Sequence, residues 1–417
     1  MQAIVLAAGK GTRMKSQTPK VLHEALGVPL LGHVLGHLRA LGMKKPVVVI
    51  GAGAEKVKEY LGQESTTVLQ AEQRGTGHAV MTAARALSDE QGDVLIWPGD
   101  MPLVRLETLK SFLKKHRVSG AAASVLAAMR DDPAGYGRIL RREGRFCGIR
   151  EELDASPEER RIREVNTGIY VFDKRKLFAA LKRVRPHNKK NEIYLTDTIE
   201  ILESQGEQLE SFPLAESEEG QGVNSRADLA EVVRRLNQRH IRAHLEAGVT
   251  FIQPEQSLIG ADVKIGQDTV IYPWTYIENG VRIGVGCRIG PFAKIRSGTQ
   301  IGDGSTIGSF VEVNRSRIGR GVSAKHLAYL GDAAVGDGTN IGAGTITANY
   351  DGKNKHQTVI GRKVLVGSDS ILIAPVRICD EARTGAGAVL TAGTVVDKGR
   401  LAVGVPARVL NRGRKKQ

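Results

Sequence analysis

An aliphatic residue returns at every sixth position through the second half of the chain. Ile259, Ile265, Ile271, Ile277, Ile283, Ile289, Ile295, Ile301, Ile307 and Val313 follow the rule without a break. Glycine comes directly after the aliphatic at 260, 266, 284, 290, 302 and 308. Neither a helix with 3.6 residues per turn nor a strand alternating every second residue generates a period of six. Short strands separated by a sharp corner at each step do. One aliphatic per step then points inward and stacks on its equivalent in the next coil, while the small residue beside it permits the corner. Three steps close a triangular coil, so the spacing predicts a parallel β-helix whose coils bury their faces only against neighbouring coils. An unbroken run of this length excludes chance recurrence.

Between Ile318 and Ile341 the spacing slips and polar residues crowd in, around Lys325-His326-Leu327-Ala328-Tyr329. A second intrusion, Ala348 to Lys355, precedes the resumption of the hexads at Ile360, Val366, Leu372, Ile378, Thr384, Leu390 and Val396. Insertions leave a solenoid as loops, and such loops carry function. A site around His326 and Asn349 is therefore expected.

At 417 residues the chain is long enough for two or three domains. Its net charge of +15 admits nucleic acid, acidic surfaces or phosphorylated small molecules. No basic helix or interleaved aromatic stripe appears, which argues against nucleic acid. Aromatics make up only 4% of the residues, as expected where tight coils exclude large rings. Cys147, Cys287 and Cys379 show no spacing for zinc or a redox dithiol and read as unpaired thiols of a reducing compartment. No apolar stretch is long enough for a membrane span, and the apolar run from Ala3 to Ala8 is too short for a signal core. A cytoplasmic protein without membrane attachment is expected. The basic tail 411–417 reads as a solvated, mobile end.

Residues 1–224 alternate apolar strands with helical stretches. Ala3–Ala8, Pro46–Gly51, Thr67–Gln70 and Asp93–Trp97 are the strands, which predicts an α/β domain with a mostly parallel, doubly covered, Rossmann-like sheet. Ligands on such sheets sit beyond the carboxyl ends of the strands, where Gly9 to Arg13, Gln70 to Thr76 and Asp100 would gather. Residues 225–248 read as a linker helix with Ser225 as N-cap and Asp228 at the third helical position. The repeat domain then occupies 249–417.

The loop Leu6-Ala7-Ala8-Gly9-Lys10-Gly11-Thr12-Arg13-Met14 follows a strand, and its backbone N–H groups with Lys10 and Arg13 suit polyphosphate. It matches neither GxxxxGK[ST] nor GxGxxG. Downstream lie Pro19-Lys20-Val21-Leu22, Gln70-Ala71-Glu72-Gln73-Arg74-Gly75-Thr76-Gly77-His78-Ala79 and Gly99-Asp100-Met101-Pro102-Leu103. Together these blocks resemble the nucleotidyl-transferring sugar pyrophosphorylases. With Tyr136-Gly137-Arg138-Ile139, Glu164-Val165-Asn166-Thr167-Gly168, Gly222-Val223-Asn224 and the hexads added, the chain resembles the bifunctional family of N-acetylglucosamine-1-phosphate uridylyltransferase/glucosamine-1-phosphate N-acetyltransferases. The resemblance implies a left-handed β-helix, against the usual crossover hand, and a homotrimer.

It also implies roles. Leu6, Ala7, Ala8, Gly9, Gln70, Gly75 and Thr76 would hold uracil and ribose, with Arg13 and Lys20 on the phosphates of UTP. Gly137, Glu151 and Asn166 would hold the sugar, and Asp100 with Asn224 would bind Mg²⁺. In-line attack by the sugar phosphate on the α-phosphorus needs positioning and charge neutralisation more than a side-chain nucleophile. For acetyl transfer, His326 matches the base that takes the amine proton. Arg296, Tyr329, Asn340, Asn349, Tyr350 and Lys355 match substrate contacts, and Ala343, Ser368 and Ala386 match positions along which acetyl-CoA lies.

Three departures stand out. Asn314 occupies a position where the family usually has the lysine that shares the sugar phosphate with the matched arginine, and strand alternation would send Arg315 to the opposite face. The C-terminal Val403-Gly404-Val405-Pro406-Ala407-Arg408 is closer to general hexapeptide acyltransferases. The repeat domain also starts late. Two alternatives follow: a uridylyltransferase whose β-helix only assembles or regulates, and a non-catalytic regulator. Arg13, Lys20, Asp100 and Asn224 together argue against the second.

Overall fold

The computed structural model describes residues 1–87 and 91–410, so the tail 411–417 lies outside the described residues. The chain divides into two compact units, Met1–Val233 and a second beginning at Arg234.

In the first unit the main sheet runs, in spatial order, Leu209–Pro213, Ala123–Met129, Glu164–Asp173, Asp93–Pro98, Gln2–Ala7, Val47–Ile50 and Thr66–Leu69. The strands legible as apolar runs pair in parallel around Gln2–Ala7, with Ile4 opposite Val47 and Ile96. Val47–Ile50 is buried throughout because aliphatic clusters cover both sheet faces. Glu164–Asp173 departs from the parallel pattern, running antiparallel to both of its main neighbours. Its register shifts between Asn166 and Tyr170, so the strand carries a bulge at Asn166-Thr167-Gly168. A hairpin of Arg138–Arg142 and Arg145–Arg150 extends from it.

The helix Arg226–Glu246 opens as expected, with both Asn224 N and Ser225 N donating to Asp228 Oδ2 and Asp228 N returning to Ser225 Oγ.

The second unit is a stack of short parallel strands in three faces, each strand paired with the one three steps on. Ile271 lies opposite Ile289, Ile277 opposite Ile295, and Ile283 opposite Ile301. These inward aliphatics form one continuous core from Phe251 to Ala402. At Gly266 and Gly302, each directly after an inward isoleucine, glycine has a sharper reason than room for a corner. A Cβ on Gly266 would meet the backbone carbon of Gly284 at 2.7 Å, and one on Gly302 that of Gly319 at 2.7 Å. The glycine is required because the next coil's main chain passes directly over it.

The corners themselves are left-handed, and side chains as well as glycines occupy them. Asp268, Trp274, Phe292, Phe310, Arg315, Leu327 and Asp332 all have φ between 47° and 60°. The steps from Phe310 to Arg315 and from Leu327 to Asp332 take five residues instead of six, which accounts for the slip in the sequence spacing. At other corners aspartates lock adjacent coils: Asp303 accepts from Val285 N at 2.9 Å and Asp337 from Arg320 N at 2.8 Å. The rings of Trp274, Phe292 and Phe310 are exposed and stacked, with centroids 6.4 and 5.0 Å apart. Beyond Phe251 in the first coil, the core of the stack is aliphatic, and these corners carry large rings outside.

Candidate active sites

In the first unit, Leu6, Ala7, Ala8, Gly9, Lys20, Gln70, Gly75, Thr76 and Asp100 line a single cleft of about 270 Å³ at the carboxyl rim of the sheet. Val21, Gln73, Ala79, Pro98 and Glu192 complete its wall. The segment 192–195 is stitched to the Gly-Thr-Gly turn: Ile193 N donates to Arg74 O (2.8 Å), Gly77 N to Ile193 O (2.8 Å) and Leu195 N to Thr76 Oγ1 (3.1 Å). Gly75 must lack a side chain here, since a Cβ would lie 2.5 Å from Ile193 O at a φ of +108°.

Lys20 reaches Asp100 Oδ2 and donates to Asn224 Oδ1 at 3.2 Å. Val223 N donates to Asp100 O at 3.0 Å, which brings Asn224 alongside the strand end. Two oxygens from distant parts of the chain therefore converge on one ammonium. Arg13 lies in the short turn Thr12–Met14, is exposed and is absent from the cleft lining.

Gly137 O accepts from Asn166 N at 2.8 Å. Asn166 Nδ2 donates to Tyr170 Oη at 2.6 Å, and Glu151 Oε1 accepts from Thr196 Oγ1 at 3.1 Å. Burial raises the Glu151 carboxyl above its ordinary value, opposed by the Thr196 hydrogen bond. Asp197 is pushed up to about 6, first by burial and then by Glu200 and Glu151. Gly137, Asn166 and Glu151 thus belong to one neighbourhood that also includes Tyr170, Thr196 and Asp197. Sequence reading missed Glu192, Thr196 and Asp197, whose segment has no periodic pattern to mark it.

In the second unit, His326 ends the strand Ser323–His326 opposite Ser309. The register that pairs Ala324 with Ile341 places Ala343 one coil beyond His326. Asp369 N donates to Ala343 O (2.7 Å) and Gly387 N to Ser368 O (2.8 Å), so Ala343, Ser368 and Ala386 climb successive coils. Asn340 pairs with Ser323 on the same face, and Tyr329 pairs with Glu312. Arg296 is held by Glu312 at 3.1 Å and Glu278 at 3.7 Å, and Arg296 N donates to Val313 O, so it stacks in register with Asn314.

Arg315 does not follow strand alternation. It sits at a left-handed corner just past the strand Glu312–Asn314, and its guanidinium turns to Asn314 Oδ1 (3.2 Å) and to Asp332 in the next coil. Asn349 Nδ2 in turn donates to Asp332 Oδ2. This pins the root of the second intrusion, where Tyr350 and Lys355 form an exposed antiparallel bridge. Asp332 is held below the usual carboxylate range, chiefly by its hydrogen bonds to Arg315.

Comparison with known proteins matches residues 3–195 to the MobA-like NTP transferase domain. Residues 281–315 match the bacterial transferase hexapeptide (six repeats), and residues 357–392 the hexapeptide repeat of succinyl-transferase, in keeping with a left-handed parallel β-helix. Relatives that carry the name Bifunctional protein GlmU include those of three bacteria. That of Geobacillus sp. (strain WCH70) is 43% identical over 423 residues, covering 93% of this chain and 92% of its own. That of Geobacillus thermodenitrificans is 42% identical, covering 100% and 95%. That of Carboxydothermus hydrogenoformans is 44% identical, covering 94% and 95%. Carrying a nucleotidyltransferase domain and hexapeptide coils, and matched along nearly its whole length at such identities, the chain belongs to the bifunctional GlmU family of transferases.

Proposed function

We propose that the chain makes UDP-N-acetylglucosamine in two steps, in the cytoplasm and as a homotrimer. Acetyl-CoA acetylates glucosamine-1-phosphate at the coils, and UTP then uridylylates N-acetylglucosamine-1-phosphate at the sheet domain, releasing pyrophosphate. The observation that carries the second step is the convergence of Asp100 and Asn224 on the Lys20 ammonium within the cleft. Lys20 stands in for a cation there. One carboxylate and one amide oxygen suit Mg²⁺, which keeps several waters and takes further oxygens from substrate phosphates. When bound, the metal would neutralise phosphate charge. Lys20 would then be freed to follow the phosphates, while Gly9 and its neighbours bring backbone N–H groups to them. Glu151 and Asn166 would orient the sugar so that its phosphate oxygen lies in line with the α-phosphorus.

For acetyl transfer, the supporting observation is the position of His326 one coil before the Ala343–Ser368–Ala386 column. An extended acyl carrier lying along that column would present its thioester beside the imidazole, which takes the amine proton during attack.

Two incubations test the reading. Glucosamine-1-phosphate with acetyl-CoA should release free thiol, and N-acetylglucosamine-1-phosphate with UTP and Mg²⁺ should release pyrophosphate. Pyrophosphate alone would reduce the β-helix to assembly or regulation, and neither product would leave a regulator. Sedimentation of the intact chain tests the trimer.

A further inference from the structure

Gln70 is 3% exposed and stands in the wall of the nucleotide cleft. Its amide nitrogen donates to the Gly75 carbonyl at 3.1 Å and lies 3.1 Å from His78 Nδ1. A backbone carbonyl can only accept, so the Gly75 contact fixes which end of the amide is the nitrogen. His78 Nδ1 must then accept as well, and the imidazole carries its proton on Nε2. With both N–H groups of the amide used, its oxygen is left on the other branch. That oxygen makes no hydrogen bond to any described residue.

From this geometry, and resting on the uridylyl-transfer reading, we propose that His78 helps set base selectivity, by joining the Gly75 carbonyl in holding the Gln70 amide with its oxygen toward the nucleobase. An unpartnered acceptor in this orientation calls for a ring N–H. Uracil offers one at N3, whereas cytosine offers a bare ring nitrogen at the same place. Turning the amide over would exchange these preferences, but would set its oxygen against the Gly75 carbonyl and require the His78 proton to move from Nε2 to Nδ1. His78 touches no substrate in this arrangement and acts through Gln70, as a positioning residue.

The experiment compares kcat/KM for UTP and CTP, with N-acetylglucosamine-1-phosphate and Mg²⁺, across the intact wild-type chain, His78→Asn, His78→Ala and His78→Lys. Asparagine can still accept near the position of Nδ1 and should retain the wild-type preference for UTP. Alanine leaves only the Gly75 carbonyl to hold the amide, and the preference should fall about tenfold, the scale of one buried hydrogen bond lost or mispaired. Lysine can only donate and should lower it further, with UTP activity falling while CTP activity rises. Thiol release from acetyl-CoA and the circular dichroism spectrum report whether each variant is folded. If the wild type turns over neither nucleotide, the uridylyl-transfer reading itself fails. If the wild type prefers UTP and the alanine and lysine variants keep that preference, or lose both nucleotides in equal measure, His78 does not set selectivity. A variant that does not fold shifts the decision to His78→Asn against the wild type, where a lost preference would overturn the proposal.

Discussion

Arg315 and Asp332, at corners of adjacent coils, meet as a two-pronged pair, with Nε to Oδ1 at 2.7 Å and Nη2 to Oδ2 at 2.8 Å. The pair exists because both five-residue steps end at these positions, so that two left-handed corners bearing side chains lie one above the other. It brings a guanidinium beside Asn314, where the family resemblance leads one to expect a lysine.

Replacing Arg315 by alanine should therefore act on the acetyl-transfer site. The KM for glucosamine-1-phosphate is expected to rise about tenfold, as for loss of one charge-assisted contact, with pyrophosphate release unchanged. Steady-state thiol release at varied amino sugar checks this.

The same variant should alter the response to acid. The Asp332 carboxyl is depressed mainly by Arg315, so its stabilisation is present above the unfolded value of about 4 and is lost as pH falls through the folded value. Wild type should exceed Arg315→Ala by less than about 1 kcal/mol at pH 7, since the pair is half-exposed. The difference should shrink toward zero in strongly acidic buffer, as followed by urea unfolding.

Asp197 should show the opposite sign. Its pKa of about 6 lies above the unfolded carboxylate range, so the stability linked to its protonated form is present below about 4 and is lost as pH rises through about 6. Asp197→Asn is expected to raise the melting temperature by about 2–4 °C at pH 8 and to have little effect at pH 4.

At the cleft, Asp100→Ala removes one of two oxygens converging on Lys20. Pyrophosphate release should fall by a factor on the order of 10³ without recovery at high Mg²⁺, while thiol release persists. His326→Ala should do the reverse, removing thiol release alone.

Much of this was legible in the chain, and the exceptions have identifiable causes. The hexads were readable because each step buries one residue and the period cannot arise from other elements. The five-residue steps were not, because a corner is defined by backbone dihedrals, and Arg315 and Asp332 are not residues that announce a left-handed turn. The strand Glu164–Asp173 was hidden by its own bulge, where Asn166-Thr167-Gly168 interrupts the apolar pattern. The cleft residues of the glycine-rich loop and Asp100 were found from strand ends and motifs. Glu192 reaches the cleft wall from irregular backbone, and Thr196 and Asp197 stand at the start of the short helix Asp197–Ser204, for which composition gives no warning. Arg13, chosen for its charge within the loop, is left outside the cleft lining.

The glycine contacts invite a direct comparison. Gly302→Ala forces a Cβ to within 2.7 Å of the next coil's backbone and should cost about 1–3 kcal/mol. Gly286→Ala meets nothing within 4 Å and should cost only the left-handed conformational penalty, about 1–2 kcal/mol, which Gly286→Asn should largely relieve. Chemical denaturation of the three variants distinguishes contact from conformation.

Main chain resting on main chain at these glycines also separates two properties that are joined in most domains. The pitch of the coils is set by peptide groups and is indifferent to side-chain volume. Outward residues, corner residues and whole inserted loops can then be exchanged along the stack without changing the spacing between its levels. New chemistry can be written at one level while the distance to every other level stays constant.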